Sequence, residues 1–267
     1  MIEVKNISMM YGAPPRTVLD NISIDIADGD FVCVLGQTGC GKSTLLRLIL
    51  GSEHATSGQI LVDGKEHKQP DRTRGYVPQK YSLFPDKTVI ENITFGAEVS
   101  EFGLFGRFQP SFYRRRREFR QRAQSYLRSI GLREADGGKY PDELSGGMQQ
   151  RVAIAQALMT EPRILLMDEA FSALDPGTRR GMQQLIRELW AATGTTILFV
   201  THNTDEALAL ATRVVVLGKD GPDSGSRVIL DARISEESRT HDKEKLLHQL
   251  ESVSHNFADE ETVLPAA

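Results

Sequence analysis

The chain has 267 residues, of which 40% are hydrophobic and 25% charged, and its formal net charge is −4. This composition excludes collagen-like, low-complexity and wholly disordered chains, and the mild acidity argues against bulk affinity for nucleic acid. Two cysteines, Cys33 and Cys40, are too few for a disulfide framework, which favours a reduced cytosolic protein. We find neither a signal-peptide pattern at the start nor an apolar run of about 20 residues, the length that a membrane span requires.

Alternating apolar residues open the chain, from Ile2 to Ile26, and predict half-buried antiparallel strands. The run Phe31–Leu35 is apolar throughout, which is typical of a parallel strand covered on both faces. A glycine-rich turn follows it, and then a helix pattern from Ser43 to Leu50. The segment Gly58–Asp63 predicts another strand, closed by a hairpin-type turn at Asp63-Gly64.

Helical spacing of apolar residues dominates the middle of the chain, from about Val89 to Met159. The elements predicted after it are strands at Ile164–Met167 and Thr196–Val200, helices at about 176–193 and 204–211, and a strand at Val214–Leu217. Short apolar runs that alternate with helices indicate buried parallel strands. The order of elements therefore predicts an α/β fold with a mostly helical insertion between two parts of the sheet.

The glycine-rich turn fits the pattern G-x-x-x-x-G-K-[ST] and lies between a buried strand and a helix, as that pattern requires. Its glycines let backbone N–H groups point at phosphate oxygens, and the helix N-terminus adds partial positive charge. Lys42 would supply a cation between the terminal phosphates, and the Ser43 hydroxyl a ligand for Mg²⁺. Cys40 is either a small side chain tolerated in the loop or a partly activated thiol beside Lys42. The predicted nucleotide-binding residues here are Gly36, Gln37, Thr38, Gly39, Cys40, Gly41, Lys42, Ser43 and Thr44.

A pair of carboxylates follows the strand predicted at Ile164–Met167. Asp168 and Glu169 come directly after it, and the carboxyl edge of a parallel sheet is where such folds bind ligands. There Asp168 would hold Mg²⁺ through water, and Glu169 would polarise an attacking water. Since an Asp-Glu pair is common in turns, this prediction depends on the phosphate loop that accompanies it.

The segment Leu144-Ser145-Gly146-Gly147-Met148-Gln149-Gln150-Arg151 is similar to the signature sequence of ATP-binding cassette (ABC) ATPases. Other motifs of that family follow in order. Tyr11 resembles the aromatic residue that stacks on adenine, and Gln79 resembles the glutamine of the Q-loop. The run Ser172-Ala173-Leu174-Asp175 matches the D-loop, and His202 matches the switch histidine. The resemblance covers about residues 1–218.

The resemblance implies the P-loop NTPase fold of ABC ATPases: a mostly parallel core sheet, an antiparallel β subdomain, and a helical subdomain at about 80–160 inside a domain spanning 1–230. It implies ATP and Mg²⁺ as cofactors. It also implies two cassettes per working unit, because the signature faces the γ-phosphate held by a partner and the D-loop aspartate lies at the dimer seam. The site residues that it implies besides the phosphate loop are Glu169 and His202 for catalysis, Tyr11, Gln79, Ser145, Gly146, Gly147 and Asp175 for the nucleotide, and Ser43, Gln79 and Asp168 for the metal.

One position departs from the family pattern, which commonly has proline after the catalytic glutamate. Here the residue is Ala170. Proline would fix φ and remove an N–H, so alanine should soften that turn, but both carboxylates remain and we expect activity to be kept. Gln149 and Arg151 follow the signature on its helix. We interpret them either as part of the motif or as residues of a solvated helical face.

A lone cassette of this size resembles the separate ATPase subunits of bacterial importers, and in particular the nitrate/sulfonate/taurine group. The segments that carry this resemblance are 170–175, 186–190, 194–203, 206–208, 212–217 and 225–231. It implies a small nitrogen- or sulfur-containing solute, with a urea- or guanidine-like solute equally compatible.

The implied partners are a second cassette, membrane permease subunits and, through them, an external solute-binding protein, with no nucleic acid. The implied location is the cytoplasmic face of the plasma membrane, as a peripheral subunit. The alternatives are a lipid-trafficking or extruding ABC system and, less favoured, a soluble ABC ATPase that acts on DNA or ribosomes.

Three further segments lie outside these motifs. Tyr81, Leu83, Phe84 and Pro85 offer an apolar surface for the permease. The insertion at 101–122 interleaves aromatics with arginines, seven of them in 107–122, and is interpreted as a solvated basic helix that packs its Phe residues, a membrane or permease contact, or a nucleic-acid contact. The tail at 231–267 is acidic, with a possible short amphipathic helix around Leu246–Val253. Its histidines, His241, His248 and His255, are spaced too widely on a helix to share one ion.

Overall fold

The computed structural model of the protein describes residues 2–66, 68–80, 82–103, 110–172, 174–221 and 224–235. The predictions for Tyr81, Ala173, the Phe-rich part of the insertion at 104–109 and the tail beyond residue 235 lie outside these residues. The described residues form two compact units. The first combines residues 1–70 with those from 194 onward, and the second spans 71–193.

The strands are β1 (Ile2–Tyr11), β2 (Arg16–Ile26), β3 (Phe31–Leu35), β4 (Ser57–Val62), β5 (Lys65–Glu66), β6 (Arg74–Val77), β7 (Ile164–Asp168), β8 (Thr196–Val200), β9 (Arg213–Lys219) and β10 (Ser226–Arg233). The helices are α1 (Lys42–Leu50), α2 (Val89–Phe102), α3 (Pro110–Ser129), α4 (Gly146–Leu158), α5 (Pro176–Thr193) and α6 (Thr204–Leu210), with 3₁₀ turns at Glu134–Gly138 and Pro141–Glu143. Within the described residues, no helix is both long enough and apolar enough to cross a bilayer.

The first unit is built on a mixed sheet with the strand order β5-β4-β1-β2-β10-β9-β3-β8. Strand β3 pairs in parallel with both β8 and β9, and every residue from Phe31 to Leu35 is buried. Strands β1, β2 and β4 are antiparallel, and their residues alternate between buried and exposed as one-sided strands do. The first unit therefore has a parallel part that carries the phosphate loop and an antiparallel part that carries Tyr11.

Helix α1 follows the phosphate loop and buries one apolar face, formed by Leu45, Leu46, Leu48 and Ile49. It ends at Gly51, which has φ +83° and donates its N–H to the carbonyls of Arg47 and Leu48. Such a left-handed residue is the usual helix terminator, since glycine adopts it without a Cβ clash. Burial of the apolar face fixes the helix N-terminus at the carboxyl end of β3.

The second unit contains the parallel pair β6 and β7 and the helices α2, α3, α4 and α5. Asn92 on α2 is fully buried and organises the segment before that helix. Its side chain accepts the N–H of Phe84 at 2.8 Å and donates to the carbonyls of Phe84, Lys87 and Thr88. A buried amide is tolerated only when its hydrogen bonds are made, so this one side chain holds residues 84–88 in place.

The predicted α/β class is confirmed, and the predicted strands and helices from Ile2 to Leu217 occur in the order given by the sequence. Three strands were missed: β5, which has only two residues, β6 and β10. Strand β6 reads Arg-Gly-Tyr-Val, and its Arg74 is buried against Asp71 at 2.8 Å, so hydropathy does not mark it. Strand β10 is half-buried and spans Ser226–Arg233. The predicted domain limits all stay predictions.

Candidate functional site

The phosphate loop lies in the first unit, at the carboxyl end of β3. Lys42 is only 5% exposed, and its Nζ donates to the carbonyl oxygens of Gly36 at 2.7 Å and Gln37 at 2.8 Å. The N–H of Cys40 closes a turn on the Gln37 carbonyl at 3.2 Å. The lysine ammonium is thus held inside the loop, where it can exchange these carbonyl contacts for phosphate oxygens.

Two glycines of the loop are dictated by its geometry. A Cβ on Gly36 would lie 2.6 Å from the Cys40 Sγ and 2.6 Å from the Leu217 carbonyl oxygen. Gly41 is the N-cap of α1 with φ +95°, and a Cβ there would meet Leu19 and Val18 at 2.7 and 2.9 Å. Glycine is therefore required at Gly36 because a backbone carbonyl passes this closely, and at Gly41 because the backbone is left-handed and two side chains occupy the space of a Cβ.

The other loop residues divide by exposure. Gln37, Thr38 and Gly39 are exposed, Ser43 is half-buried, and Thr44 is buried with its Oγ1 accepting from Arg47 at 3.3 Å. Cys40 is buried, and that burial raises the pKa of its thiol more than the nearby Lys42 ammonium lowers it. A raised pKa leaves less thiolate at neutral pH. The activated-thiol interpretation is therefore wrong, and Cys40 is a small side chain packed under the loop.

Tyr11 lies at the end of β1 and is 38% exposed. Its hydroxyl donates to the Glu53 carboxylate, which also pairs with the Arg47 Nε at 2.6 Å. Arg47 belongs to α1, the helix that follows the phosphate loop. Through Glu53 and Arg47, Tyr11 is therefore connected to α1, although Tyr11 and Glu53 are 42 residues apart.

His202 lies two residues after the end of β8, which pairs with β3. The N–H of Thr201 donates to the Val34 carbonyl at 3.2 Å, so the residue before His202 is joined to the strand that leads into the loop. The Thr201 hydroxyl donates to Glu206 at 2.7 Å and accepts the N–H of Asn203 at 3.1 Å. These bonds fix the backbone on both sides of His202, whose side chain is exposed.

In the second unit, Gln79 and the two carboxylates meet because β6 and β7 are parallel neighbours. The Gln79 Nε2 donates to the Glu169 Oε2 at 2.8 Å. Asp168 is buried and accepts from the Tyr76 hydroxyl at 3.3 Å. Glu169 has φ +44°, an uncommon conformation for a residue with a side chain, of a kind that occurs at functional sites.

The turn after Glu169 is fixed without a proline. The N–H of Ser172 donates to the Glu169 carbonyl at 3.0 Å, and Ala170 and Phe171 are fully buried. A small residue is needed where the turn is packed this tightly, because there is no room to relax around added volume. The expectation that alanine softens this turn while activity is kept stays a prediction.

The signature residues begin helix α4. Ser145 is the N-cap, and its Oγ accepts the N–H of Met148 at 3.3 Å. Gly146 and Gly147 form the first turn, and a Cβ on Gly147 would lie 3.4 Å from the Leu174 side chain of the D-loop. The helix N-terminus therefore presents N–H groups at the surface, next to the D-loop, as an anion site requires.

Residues near these motifs have structural partners. Asp175 caps α5, since its Oδ1 accepts the N–H groups of Gly177 and Thr178, and hydrogen bonding to Thr178 holds its pKa below the usual value. The Gln149 Nε2 donates to the Leu144 carbonyl at 3.1 Å. Arg151 donates to the carbonyls of Ile130 and Gly131 at 3.1 and 3.2 Å, so it closes the end of α3 rather than lying on a solvated face.

The predicted site residues thus form two groups. The first unit contains the phosphate loop, Tyr11 and His202, and the second contains Gln79, Asp168, Glu169, Ser145, Gly146, Gly147 and Asp175. Sequence reasoning missed Glu53, Arg47 and Tyr76, which contact predicted site residues. No short motif marks them, because each contact joins residues brought together by strand pairing or helix packing.

Comparisons with known proteins identify the family of this chain. The family model described as ABC transporter matches residues 19–172. The taurine import ATP-binding protein TauB of Rhizobium johnstonii is 46% identical over 81% of this chain and 79% of its own length. The Fe(3+) ions import ATP-binding protein FbpC of Brucella abortus is 41% identical over 82% of this chain and 59% of its own. A solved dimeric ATP-binding cassette in a post-hydrolysis state, bound to ADP and Pi, superposes with a TM-score of 0.74 at 30% identity, covering 88% of this chain and 99% of that one. The chain belongs to the ABC transporter family and is an ATPase of that family.

Proposed function

We propose that this protein is the ATP-hydrolysing subunit that energises an ABC importer for a small nitrogen- or sulfur-containing solute. The observation that carries the proposal is the match to the taurine import ATP-binding protein, which spans 79% of that relative. The Fe(3+) relative has nearly the same identity over 59% of its length, so identity in this domain alone does not fix the solute. The segments that resemble the nitrate/sulfonate/taurine group favour a nitrogen- or sulfur-containing one.

Glu169 is the proposed general base of hydrolysis. Its carboxylate is held by the Gln79 amide at 2.8 Å on a backbone with φ +44°. A base held in one orientation loses less entropy when it takes the proton of the attacking water. His202, at the strand end joined to β3, is proposed to contact the γ-phosphate, and Lys42 to neutralise its charge.

The donor atoms of the proposed metal site fit Mg²⁺. They are the Ser43 hydroxyl, the Asp168 carboxylate and the Gln79 amide oxygen, all hard oxygen ligands. Within the described residues there is no group of three or more His, Cys, Asp or Glu side chains suited to a metal. When bound, the ion would neutralise charge on the phosphate oxygens.

The partners follow from the same proposal. Ser145 and Gly147 would complete the nucleotide site of a second cassette, and Asp175 would lie at the seam between the two. The exposed Phe84 ring, which packs on Phe95 at 4.6 Å, is proposed to contact the permease, with Leu83 and Pro85 beside it. An external binding protein would deliver the solute through that permease, and the cassette would work at the cytoplasmic face of the membrane.

Co-purification tests the transport assignment. We expect the full chain, isolated from membranes in mild detergent, to bring down a permease and, with it, a solute-binding protein. Identification of that binding protein's ligand as a sulfonate, nitrate or urea-like compound would support the proposed solute class. Recovery with ribosomes or DNA, or with a lipid exporter and no binding protein, would overturn the importer assignment while leaving ATP hydrolysis intact.

The contact between Tyr11 and Glu53 should position the proposed adenine platform. We expect Tyr11→Phe and Glu53→Gln each to raise the KM for ATP about two- to fivefold with little change in kcat, because each weakens one hydrogen bond worth about 0.5–1.5 kcal/mol. The double variant should be no worse than the more impaired single variant, since both changes act on the same contact. Steady-state phosphate release measures this, and fully additive effects would contradict a shared role.

A further inference from the structure

Helix α3 spans Pro110–Ser129 and is unusually basic. It packs against α2 and α4 in the second unit through an apolar face that includes Phe112, Phe119, Ala123 and Leu127, all buried. The aromatics described in this helix are therefore mostly core residues, as the first of the three interpretations of the insertion states. Packing of the apolar face does not explain why the helix contains so many arginines.

Four arginines of α3 lie beside carboxylates of the same unit. Arg115 pairs with Glu101 at 2.9 Å, and Arg116 with Glu98 at 3.4 Å. The other two pairs are Arg122–Glu161 and Arg128–Glu134. The positive charge of these arginines is locally balanced, so they are explained by packing of the helix within its unit.

The remaining arginines of α3 are Arg114, Arg117 and Arg120, of which Arg120 lies close enough to Glu91 to interact with it electrostatically. The outer face of α3 consists of exposed residues at helical spacing: Tyr113, Arg114, Arg117, Arg120, Gln121 and Gln124. It contains no acidic residue, because Glu118 turns to Arg115. Among the described residues, neither Arg114 nor Arg117 has a carboxylate within ion-pair distance. Tyr113 is 70% exposed, the largest exposed fraction among the described large hydrophobic side chains.

We propose that the outer face of α3 binds the phosphate groups of anionic phospholipids, an inference that rests on the proposed function because that function brings the chain to a membrane. The face is about 16 Å long at 1.5 Å per residue, which is long enough to contact more than one headgroup. Guanidinium groups bind phosphate oxygens in two-pronged geometry. An exposed tyrosine, apolar in its ring and polar at its tip, suits the interface between headgroups and water.

One feature favours a lipid surface over a nucleic acid. The outer face of α3 has a single exposed aromatic, Tyr113, whereas single-stranded nucleic acid is bound by rows of stacking rings. Contact with a flat anionic surface requires only phosphate contacts along one helix face.

The test is flotation of the full chain with vesicles of phosphatidylglycerol mixed with phosphatidylcholine, against vesicles of phosphatidylcholine alone. We expect binding to the anionic vesicles that weakens with added salt. The triple variant Arg114→Gln, Arg117→Gln and Arg120→Gln should bind at least about tenfold more weakly, since each basic residue near such a surface contributes roughly fivefold. The matched control is Lys5→Gln, Lys65→Gln and Lys68→Gln, which removes the same charge from partly or largely exposed sites in β1, in β5 and just beyond β5 and should bind as the unaltered chain does.

The outcomes separate this inference from the proposed function. Equal binding by the triple variant and the unaltered chain, or equal binding to neutral vesicles, would overturn the lipid contact. Tighter binding to RNA or to an acidic peptide than to the vesicles would also overturn it. In every case ATP hydrolysis in detergent should stay unchanged in both triple variants, because none of these residues belongs to the nucleotide site. Loss of ATPase activity in the unaltered chain would count against the proposed function alone.

Discussion

Glu169→Gln is expected to lower the rate of ATP hydrolysis about 10²–10⁴-fold, which corresponds to a barrier about 3–5 kcal/mol higher. Glutamine keeps the size of the side chain, and its amide oxygen can still accept the hydrogen bond that Gln79 donates at 2.8 Å. What is lost is the ability to take a proton from water. The variant should therefore fold normally and bind ATP with nearly unchanged affinity.

Because ATP is bound but not consumed, the variant should accumulate as an ATP-bound dimer. Size-exclusion chromatography with and without ATP measures the dimer, and phosphate release measures turnover. The control is Glu188→Gln on α5, which makes the same chemical change at an exposed carboxylate that accepts from Gln184 at 2.7 Å. That control should hydrolyse ATP normally. If Glu169→Gln also did so, the general base would have to be another residue.

The sequence predicts best the features whose cause is local. The phosphate loop can be predicted because its residues lie within eight positions of one another. Gly36 and Gly41 are required by the local conformation and packing, and Lys42 donates hydrogen bonds to carbonyls of the same loop. The parallel strand Phe31–Leu35 is marked by unbroken burial on both faces. In each case the residues that determine the structure are close together in the chain, so the sequence pattern predicts the structure without knowledge of the fold.

Features that depend on tertiary contacts could not be predicted from the sequence. Strand β6 contains Arg74, whose side chain is fully buried and paired with the more exposed Asp71, so a buried arginine hides the strand from any measure of hydropathy. Arg151 was weighed between the signature motif and a solvated helical face, yet it bonds to Gly131, 20 residues away. The contact of Tyr11 with Glu53 depends on where α1 lies beside the sheet. Such partners become visible only when strand register and helix packing are known.

Lys42→Ala is expected to weaken ATP binding at least about 100-fold, a loss of about 2.7 kcal/mol. The substitution removes the one cation that the loop holds against its own carbonyls, at 2.7 Å from Gly36 and 2.8 Å from Gln37. Phosphate oxygens would then meet backbone N–H groups and the helix N-terminus alone, with less positive charge to offset their own.

The same substitution should lower the stability of the nucleotide-free protein. The two carbonyl oxygens lose their donor in a loop where Lys42 is only 5% exposed, and an unsatisfied buried acceptor costs about 1–3 kcal/mol. Thermal unfolding with and without ATP measures both effects: the variant should start from a lower Tm, and ATP should no longer raise it. Lys65→Ala, at an exposed lysine in β5 of the same unit, should leave both values unchanged. A Lys42→Ala variant that ATP stabilises as strongly as the unaltered chain would show that the phosphates are bound without this ammonium.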